Sequence, residues 1–347
     1  MSAIMSHLSQ LQAQDGSWSQ EDVDIDVDAV SEGDLLEVIQ QVHHVDYIEY
    51  LRDAYEMWVQ DGGSKNAVMP ETFPHPGLMA SSKSKAMYAK NLSPLAKAGL
   101  YCFDLSCPIT GDTFTSALAA VRVVLSALQY LVSESSAQAS PGAFALTRPP
   151  GHHASPSVCG GYCFFNNAAI AARYLQSRVP NTKIAILDID YHHGNGICNV
   201  ACGLMIAQDV FYQDPSVLYI SLHAEGDYPY FTGTSEEIGD GPGVGFNLNI
   251  PLAQYTTGNI EYIAALQKGL ERISEFGSQW LLVSLGVDTY KHDPLCNFNL
   301  TTEGYHEIGR EIGLLKLPTL FVMEGGYHID TLGVNVGGVL LGFKTAV

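Results

Sequence analysis

Short apolar runs alternate along the chain with longer stretches in which apolar residues recur at helical spacing. The runs lie at 143–146, 184–187 and 217–222, and two more begin at residues 281 and 317. Their length and continuous hydrophobicity are typical of strands that are buried on both faces. Helical spacing is found in 114–132, 166–178, 259–276, 302–315 and 332–343. The alternation predicts βαβ units and therefore an α/β fold, with a parallel β-sheet sandwiched by helices.

Several of the predicted strands end abruptly in polar residues. The 184–187 run is followed by Asp-Ile-Asp-Tyr-His-His-Gly-Asn-Gly, in which Asp190 and His192 can point the same way on an extended chain. The run that begins at residue 281 ends in Asp288, and the run that begins at residue 317 is followed by Glu-Gly-Gly and Tyr327. Open α/β sheets bind ligands at the carboxyl ends of their strands, so we expect these side chains to meet.

A pair of adjacent histidines, His152 and His153, follows Pro-Pro-Gly after the 143–146 run. The prolines stiffen this turn, and Gly151 lets the backbone approach a ligand closely. A carboxylate and an imidazole suit a catalytic zinc ion, which needs a third protein ligand and an open position for water. Taken singly, these residues also fit structural roles, as strand or helix caps, turn residues or packed aromatics. Their recurrence at successive strand ends favours a site of catalysis.

These motifs, in this order, resemble those of the arginase/deacetylase-type zinc amidohydrolases. The resemblance is to the histone deacetylase family, most closely to its acetylpolyamine amidohydrolase and class II-like branch, and it spans about residues 42–343. It includes Gly-Gly-Tyr-Cys-Phe-Phe-Asn-Asn at 160–167. The resemblance implies an arginase/deacetylase-like fold, with residues 1–347 as a single deacetylase domain. It also implies zinc-dependent hydrolysis of the acetyl amide of a primary amine, either an N-acetylpolyamine or acetyl-lysine.

The resemblance also implies how the metal and the reacting carbonyl are held. Asp190, His192 and Asp288 would bind one zinc ion, which polarises the carbonyl and activates a water. Tyr327 would donate its hydroxyl to the oxyanion that forms.

The same resemblance gives the two histidines different roles. His153 would be the general base and acid, while His152 would tune the site electrostatically. Asp188 would contact His152 and Asn195 would contact His153, which fixes the tautomer of each ring. The carboxylate partner should keep the pKa of His152 above that of His153.

Two further sets of residues are implied beside the metal. Tyr162 and Tyr228 would line a tunnel and grip the methylene chain of the substrate, with packing in the core as the alternative for both. Asp188, the Ser221 hydroxyl and backbone carbonyls that include that of Leu222 would bind a monovalent cation. Ligands that are all oxygen suit a hard cation such as K⁺.

The residues predicted at the tunnel mouth do not decide between an acetylpolyamine and an acetyl-lysine substrate. Leu95 and Ser106 replace acidic residues of polyamine-specific relatives, and Leu295 stands where a class II polyamine deacetylase carries a glutamate. Asp104 resembles instead the rim aspartate with which protein deacetylases hold substrate backbone amides, although it could also be a loop cap. The overall resemblance favours an acetylpolyamine, whereas these positions favour acetyl-lysine.

Two segments depart from the family pattern. Residues 1–41 lack the first strand and rim loop that the resemblance leads us to expect, and residues 197–206 look like an insertion. These departures support a second hypothesis, a catalytically weak protein that binds acylated amines. A manganese ureohydrolase on the related arginase fold is disfavoured, because the additional carboxylate and histidine ligands for two metals are not found.

Composition adds a bias about partners and location. The chain has 17 basic and 37 acidic residues and a net charge of −20, which repels nucleic acid and favours a cationic substrate. The sequence shows neither an apolar run of membrane length nor a signal peptide, and its seven cysteines are typical of reduced thiols. We therefore expect an intracellular, cytoplasmic protein without a membrane association, which could form a homo-oligomer.

Overall fold

A single parallel sheet organises the computed structural model, which describes residues 1–15, 32–75, 92–135, 141–197 and 210–347. Its six strands are hydrogen-bonded in the order β1-β6-β5-β2-β3-β4, and all five pairings are parallel. The strands are β1 (Gly142–Ala145), β2 (Ile184–Asp188), β3 (Val217–Ala224), β4 (Asn247–Leu252), β5 (Trp280–Leu285) and β6 (Thr319–Met323). The predicted α/β fold with a parallel sheet is confirmed, although the sequence pattern does not predict β4.

Helices precede the sheet and connect its strands. Those that the sequence pattern does not predict are α1 (Ser2–Asp15), α2 (Glu32–Ile39), α3 (Val45–Gln60) and α4 (Pro94–Leu100). Those that it predicts are α5 (Thr113–Glu134), α6 (Asn167–Arg178), α7 (Asn259–Phe276), α8 (Thr302–Gly313) and α9 (Ile329–Ala346). Helices α6, α7 and α8 connect successive strands, whereas α5 precedes β1 and α9 follows β6. Their apolar periodicity reflects one face that packs in the core.

The strands are apolar on both sides because helices cover both faces of the sheet. Along β2, Ile184 and Ile186 pack in one core with α2 to α6, whereas Ala185 and Leu187 pack in the other with α1 and α7 to α9. Successive side chains of a strand point to opposite faces, so this alternation assigns one core to each face. The predicted arrangement of helices around the sheet is confirmed.

Helix α5 is long and apolar enough to cross a membrane, by length and composition alone. It packs against α6 and β1, and Val121, Val124 and Leu128 on its apolar face are fully buried in the core. The core helix of a globular protein passes the same test, so this helix is weak evidence for a membrane span. The expected lack of a membrane association stays a prediction.

The first described residues form a helix. Helix α1 packs against α9, where Gly333 and Gly337 leave room for the side chain of His7. Residues 16–31 lie outside the described residues, and so do residues 198–206 of the predicted insertion at 197–206. The missing first strand and the insertion therefore stay predictions.

A buried histidine before α3 makes the fold sensitive to acid. His43 is 1% exposed, and its Nε2 accepts the backbone N–H of Asn166 at 2.9 Å. Burial lowers the pKa of His43 from 6.5 to about 3. Between these values the unfolded chain binds a proton that the folded state excludes. This contribution to stability is present above pH 6.5 and is lost as the pH falls toward the lower value.

Replacing His43 with glutamine is expected to remove part of this acid sensitivity. A glutamine carbonyl oxygen can accept the same N–H without titrating, so between about pH 7 and about pH 5 the free energy of unfolding should fall by about 2 kcal/mol less than in the wild type. Urea unfolding at both pH values measures the difference. The exposed His44 provides the control, because His44→Gln should match the wild type. An equal loss in His43→Gln and the wild type would contradict the assignment.

Candidate active site and metal centre

The polar residues predicted to meet follow neighbouring strands of the sheet. Asp190 follows β2, Asp288 follows β5 and Tyr327 follows β6, and these three strands lie side by side in the order β6-β5-β2. His152 and His153 follow β1, which pairs with β6. Parallel strands present their carboxyl ends at one edge, so the sheet order places all five residues at the same edge.

Three side chains predicted to bind zinc converge at this edge. His192 Nδ1 lies 3.1 Å from Asp190 Oδ1 and 3.1 Å from Asp288 Oδ2. Ligand atoms at about 2.0–2.2 Å from a tetrahedral ion are themselves a little over ~3 Å apart, so both distances from His192 fit ligands of one metal ion.

The outer oxygens of the two carboxylates are held by the backbone. Asp190 Oδ2 accepts the N–H of Gly325 at 2.8 Å, and Asp288 Oδ1 accepts the N–H of Tyr191 at 2.9 Å. Asp288 Oδ2 is buried and accepts no hydrogen bond from the described residues. A buried oxygen without a donor is costly unless a cation binds it, which again fits a metal at this point.

The two histidines have the partners that the sequence predicts. His152 Nδ1 lies 3.0 Å from Asp188 Oδ2, and His153 Nδ1 lies 2.7 Å from Asn195 Oδ1. Burial by itself lowers the pKa of His152, but the carboxylates of Asp188 and Asp190 outweigh it and raise that pKa to about 10. Burial and the neighbouring His152 hold the pKa of His153 well below its usual value. Both shifts run in the direction that the sequence predicts.

Sequence reasoning missed a buried carboxylate beneath the histidine pair. Glu324 Oε2 accepts the backbone N–H of Gly151 at 2.7 Å and that of His152 at 3.2 Å, and the Ser284 hydroxyl lies 3.3 Å from Oε1. Burial raises the pKa of Glu324 to about 7. Its place at the end of β6, directly before Gly-Gly-Tyr, is the signal that could have identified it. Glu324 fixes the turn that carries both histidines.

The oxyanion donor predicted from the sequence is also held through its backbone. The N–H of Tyr327 donates to Asp293 Oδ2 at 2.8 Å, a contact that the sequence analysis does not anticipate. Burial, together with Asp288 and Asp190, raises the pKa of Tyr327. Its hydroxyl therefore keeps its proton at neutral pH and can act as a donor. Cys296, also not anticipated, places its Sγ 3.9 Å from His192 Nε2.

The two predicted tunnel tyrosines lie beside the catalytic residues. The Tyr228 ring is 5.0 Å from the His153 ring and 5.9 Å from the His192 ring, in edge-on geometry. The Tyr162 ring is 6.1 Å from that of Tyr327. Tyr162 is 45% exposed, which excludes a place in the core for that residue. Their role as tunnel walls stays a prediction.

The predicted cation ligands are neighbours across β2 and β3, where Asp188 pairs with Ser221. Ser221 Oγ lies 2.8 Å from His223 Nδ1, and His223 Nε2 lies 2.8 Å from the carbonyl oxygen of Gly233. A carbonyl only accepts, so Nε2 carries the hydrogen and Nδ1 accepts from Ser221. The lone pairs of the Ser221 hydroxyl therefore stay available, which suits a ligand of the predicted monovalent cation.

Comparison with known proteins shows which family the chain matches. The model of the histone deacetylase domain family matches residues 2–342. Acetylpolyamine amidohydrolase 2 of Pseudomonas aeruginosa is 39% identical over 311 residues, which cover 89% of this chain and 83% of the relative. Histone deacetylase clr3 of Schizosaccharomyces pombe is 37% identical over 201 residues, 56% of this chain and 28% of the relative.

A solved structure shows the same fold. The crystal structure of acetylpolyamine aminohydrolase from Burkholderia pseudomallei superimposes with a TM-score of 0.78 at 32% sequence identity. The match covers 90% of this chain and 83% of that one.

Proposed function

Since the chain belongs to the histone deacetylase family, we propose that its deacetylase activity depends on one zinc ion held by Asp190, His192 and Asp288. The observation that carries this proposal is the cluster of three ligand atoms, in which His192 Nδ1 lies 3.1 Å from each of the two carboxylate oxygens. Two acidic ligands and one imidazole match the donor set of a catalytic zinc site with a position left for substrate.

The chain's own residues supply the proton transfers of amide hydrolysis. A bound zinc ion would polarise the substrate carbonyl and lower the pKa of the attacking water. His153, kept neutral by its lowered pKa, takes the proton of that water and returns it to the departing amine. His152, kept cationic by its raised pKa, stabilises the negative charge that develops nearby. The hydroxyl of Tyr327 donates a hydrogen bond to the oxyanion.

We also propose that a monovalent cation, K⁺, binds close to the metal centre, next to Asp188. Asp188, the hydroxyl of Ser221 and the carbonyl of Leu222 are its proposed ligands, and the free lone pairs on Ser221 support this role. We also propose an intracellular, cytoplasmic location. The cysteines that the structure describes are buried and form no disulfide, namely those at 102, 107, 159, 163 and 296. Reduced thiols suit a reducing compartment.

The substrate that we propose is an N-acetylpolyamine. Relatives that match most of the chain are named acetylpolyamine amidohydrolases, and a net charge of −20 attracts a cationic amine. An acetyl-lysine peptide is the alternative within the same chemistry. A protein that binds acylated amines without hydrolysing them is the second hypothesis, and the complete set of metal-binding and proton-transfer residues argues against it.

Removal and return of zinc tests this function. A chelator is expected to abolish the release of amine from acetylputrescine, and one equivalent of Zn²⁺ should restore it, with an acetyl-lysine peptide assayed in parallel as the competing substrate. A metal-free protein with the full rate would exclude metal dependence. A protein that binds zinc and acetylputrescine but hydrolyses neither substrate would favour the binding protein.

A further inference from the structure

The carboxylate of Asp104, predicted to hold substrate backbone amides, is already occupied within the protein. Its Oδ1 accepts the backbone N–H of Ser106 at 2.9 Å. Its Oδ2 accepts the Ser106 hydroxyl at 2.7 Å, the N–H of Gly161 at 2.9 Å and the hydroxyl of Tyr228 at 2.5 Å. A carboxylate offers about four lone-pair sites. Three donors therefore meet at Oδ2, whereas Oδ1 accepts the N–H of Ser106 and keeps a second lone pair.

The two long-range partners of Asp104 flank the same catalytic ring. A Cβ added to Gly161 would collide with the His153 ring, so the backbone of Gly161 lies directly against that ring. Tyr228 meets the ring from its own segment, edge-on at 5.0 Å. Gly161 and Tyr162 both have positive φ values, 55° and 67°, and this left-handed turn directs Tyr162 outward. Asp104 therefore joins the two segments that carry the predicted tunnel tyrosines.

The residue before Asp104 braces the same arrangement. The Phe103 ring is stacked at 6.2 Å from the ring of Tyr228, and a Cβ on Gly160 would collide with Phe103. Burial and the carboxylate of Asp104 raise the pKa of Tyr228. The phenol therefore keeps the proton that it donates to Asp104.

We propose that Asp104 is a positioning residue that sets the tunnel around His153 by fixing Tyr228 and the Gly161–Tyr162 turn, so that it serves every acylated amine and not the backbone of a peptide alone. The site then recognises its substrate through the methylene chain next to the amide. This inference rests on the proposed function and adds that the loss of the Asp104 contacts weakens acetylpolyamine and acetyl-lysine substrates alike.

Two single substitutions and their combination test the contact. Tyr228→Phe removes only the hydroxyl, and Asp104→Asn keeps the shape of the side chain but loses acceptor capacity. Each is expected to lower kcat/KM about fivefold, mainly through KM, for acetylputrescine and for an acetyl-lysine peptide alike. Both substitutions break the same hydrogen bond, the one from Tyr228 to Asp104. The double variant should therefore lose no more activity than the single variant with the larger loss. Asp112→Asn is the matched control, since Asp112 is exposed and its side chain caps no helix.

A binding measurement separates a failure of this inference from a failure of the proposed function. By calorimetry on the zinc-loaded protein, both single variants should bind hexanohydroxamate about fivefold more weakly and acetohydroxamate, which has no chain to grip, about as the wild type does. A loss confined to the peptide in Asp104→Asn, with Tyr228→Phe unaffected, would show that Asp104 reads the substrate backbone. Additive losses in the double variant would also overturn the inference. A wild type that binds zinc but hydrolyses neither substrate refutes the proposed function, and the hydroxamates still test Asp104.

Discussion

Asp288→Ala is expected to eliminate zinc binding and to reduce deacetylation by at least about 10⁴-fold. The substitution removes Oδ2, the buried atom that lies 3.1 Å from His192 Nδ1 and accepts no hydrogen bond from the described residues. Polarisation of the carbonyl by the metal is worth several kcal/mol, and each ~1.4 kcal/mol corresponds to a factor of about ten in rate. Loss of the metal therefore accounts for an effect of this size.

The variant should fold, which makes the measurement interpretable. Burial and the like charge of Asp190 raise the pKa of Asp288, so in the metal-free protein this carboxyl is an unfavourable group that alanine removes. Asp288→Asn is the matched variant, because its amide oxygen can still accept the N–H of Tyr191, which Asp288 Oδ1 accepts at 2.9 Å. We expect it to bind zinc weakly. Zinc content after dialysis and circular dichroism would follow the metal and the fold, and stoichiometric zinc in Asp288→Ala would refute the ligand assignment.

The strand ends were predictable because their chemistry is local. The runs that precede Asp190, Asp288 and Tyr327 are mostly apolar, and a run that is buried on both faces indicates a central parallel strand. That each polar residue follows its run within a few positions is then seen from the sequence alone. Which strands are neighbours is not seen there, because the order β6-β5-β2 depends on how the connecting helices pack.

The strand β4 was missed because polar residues occupy its buried side. Asn247 and Asn249 are 5% and 4% exposed. Leu248 and Ile250, which alternate with them along the strand, are only partly buried. The side-chain amide of Asn247 donates to the carbonyl of Glu237, and that of Asn249 donates to the carbonyl of Thr234 at 3.1 Å. A pattern that equates apolar with buried cannot recognise such a strand, since its buried positions are satisfied by hydrogen bonds to a preceding loop.

Residues that act through distant backbone groups were missed for a related reason. Glu324 holds the N–H of Gly151, which lies 173 residues earlier in the chain. The Tyr228 hydroxyl donates to Asp104 across 124 residues of the chain, and the resemblance that suggested a rim role for Asp104 does not include this contact. Such contacts depend on the folded arrangement of two segments, which local spacing does not contain.

Tyr327→Phe is expected to lower kcat by about 10²–10³-fold while zinc content and KM stay close to the wild type. Loss of a single oxyanion donor has an effect of this size, because the hydrogen bond strengthens as negative charge develops on the carbonyl oxygen. The ring should keep its place in the variant, since the backbone N–H of residue 327 still donates to Asp293 Oδ2, at 2.8 Å in the wild type. Burial and the nearby Asp288 raise the pKa of Tyr327, so the wild-type hydroxyl remains a donor into the alkaline range.

Steady-state kinetics with acetylputrescine, together with zinc analysis, would measure this split between kcat and KM. Tyr255→Phe is the control, because Tyr255 is 70% exposed and belongs to none of the residues assigned to the site. Removing that hydroxyl should change kcat by less than about twofold, as is usual for exposed positions. A wild-type kcat and KM in Tyr327→Phe would show that the hydroxyl has no role in the reaction. A raised KM with an unchanged kcat would show that it binds the substrate in the ground state. Loss of an interaction that is made only with the oxyanion lowers kcat and leaves KM unchanged, so the two constants together distinguish the roles.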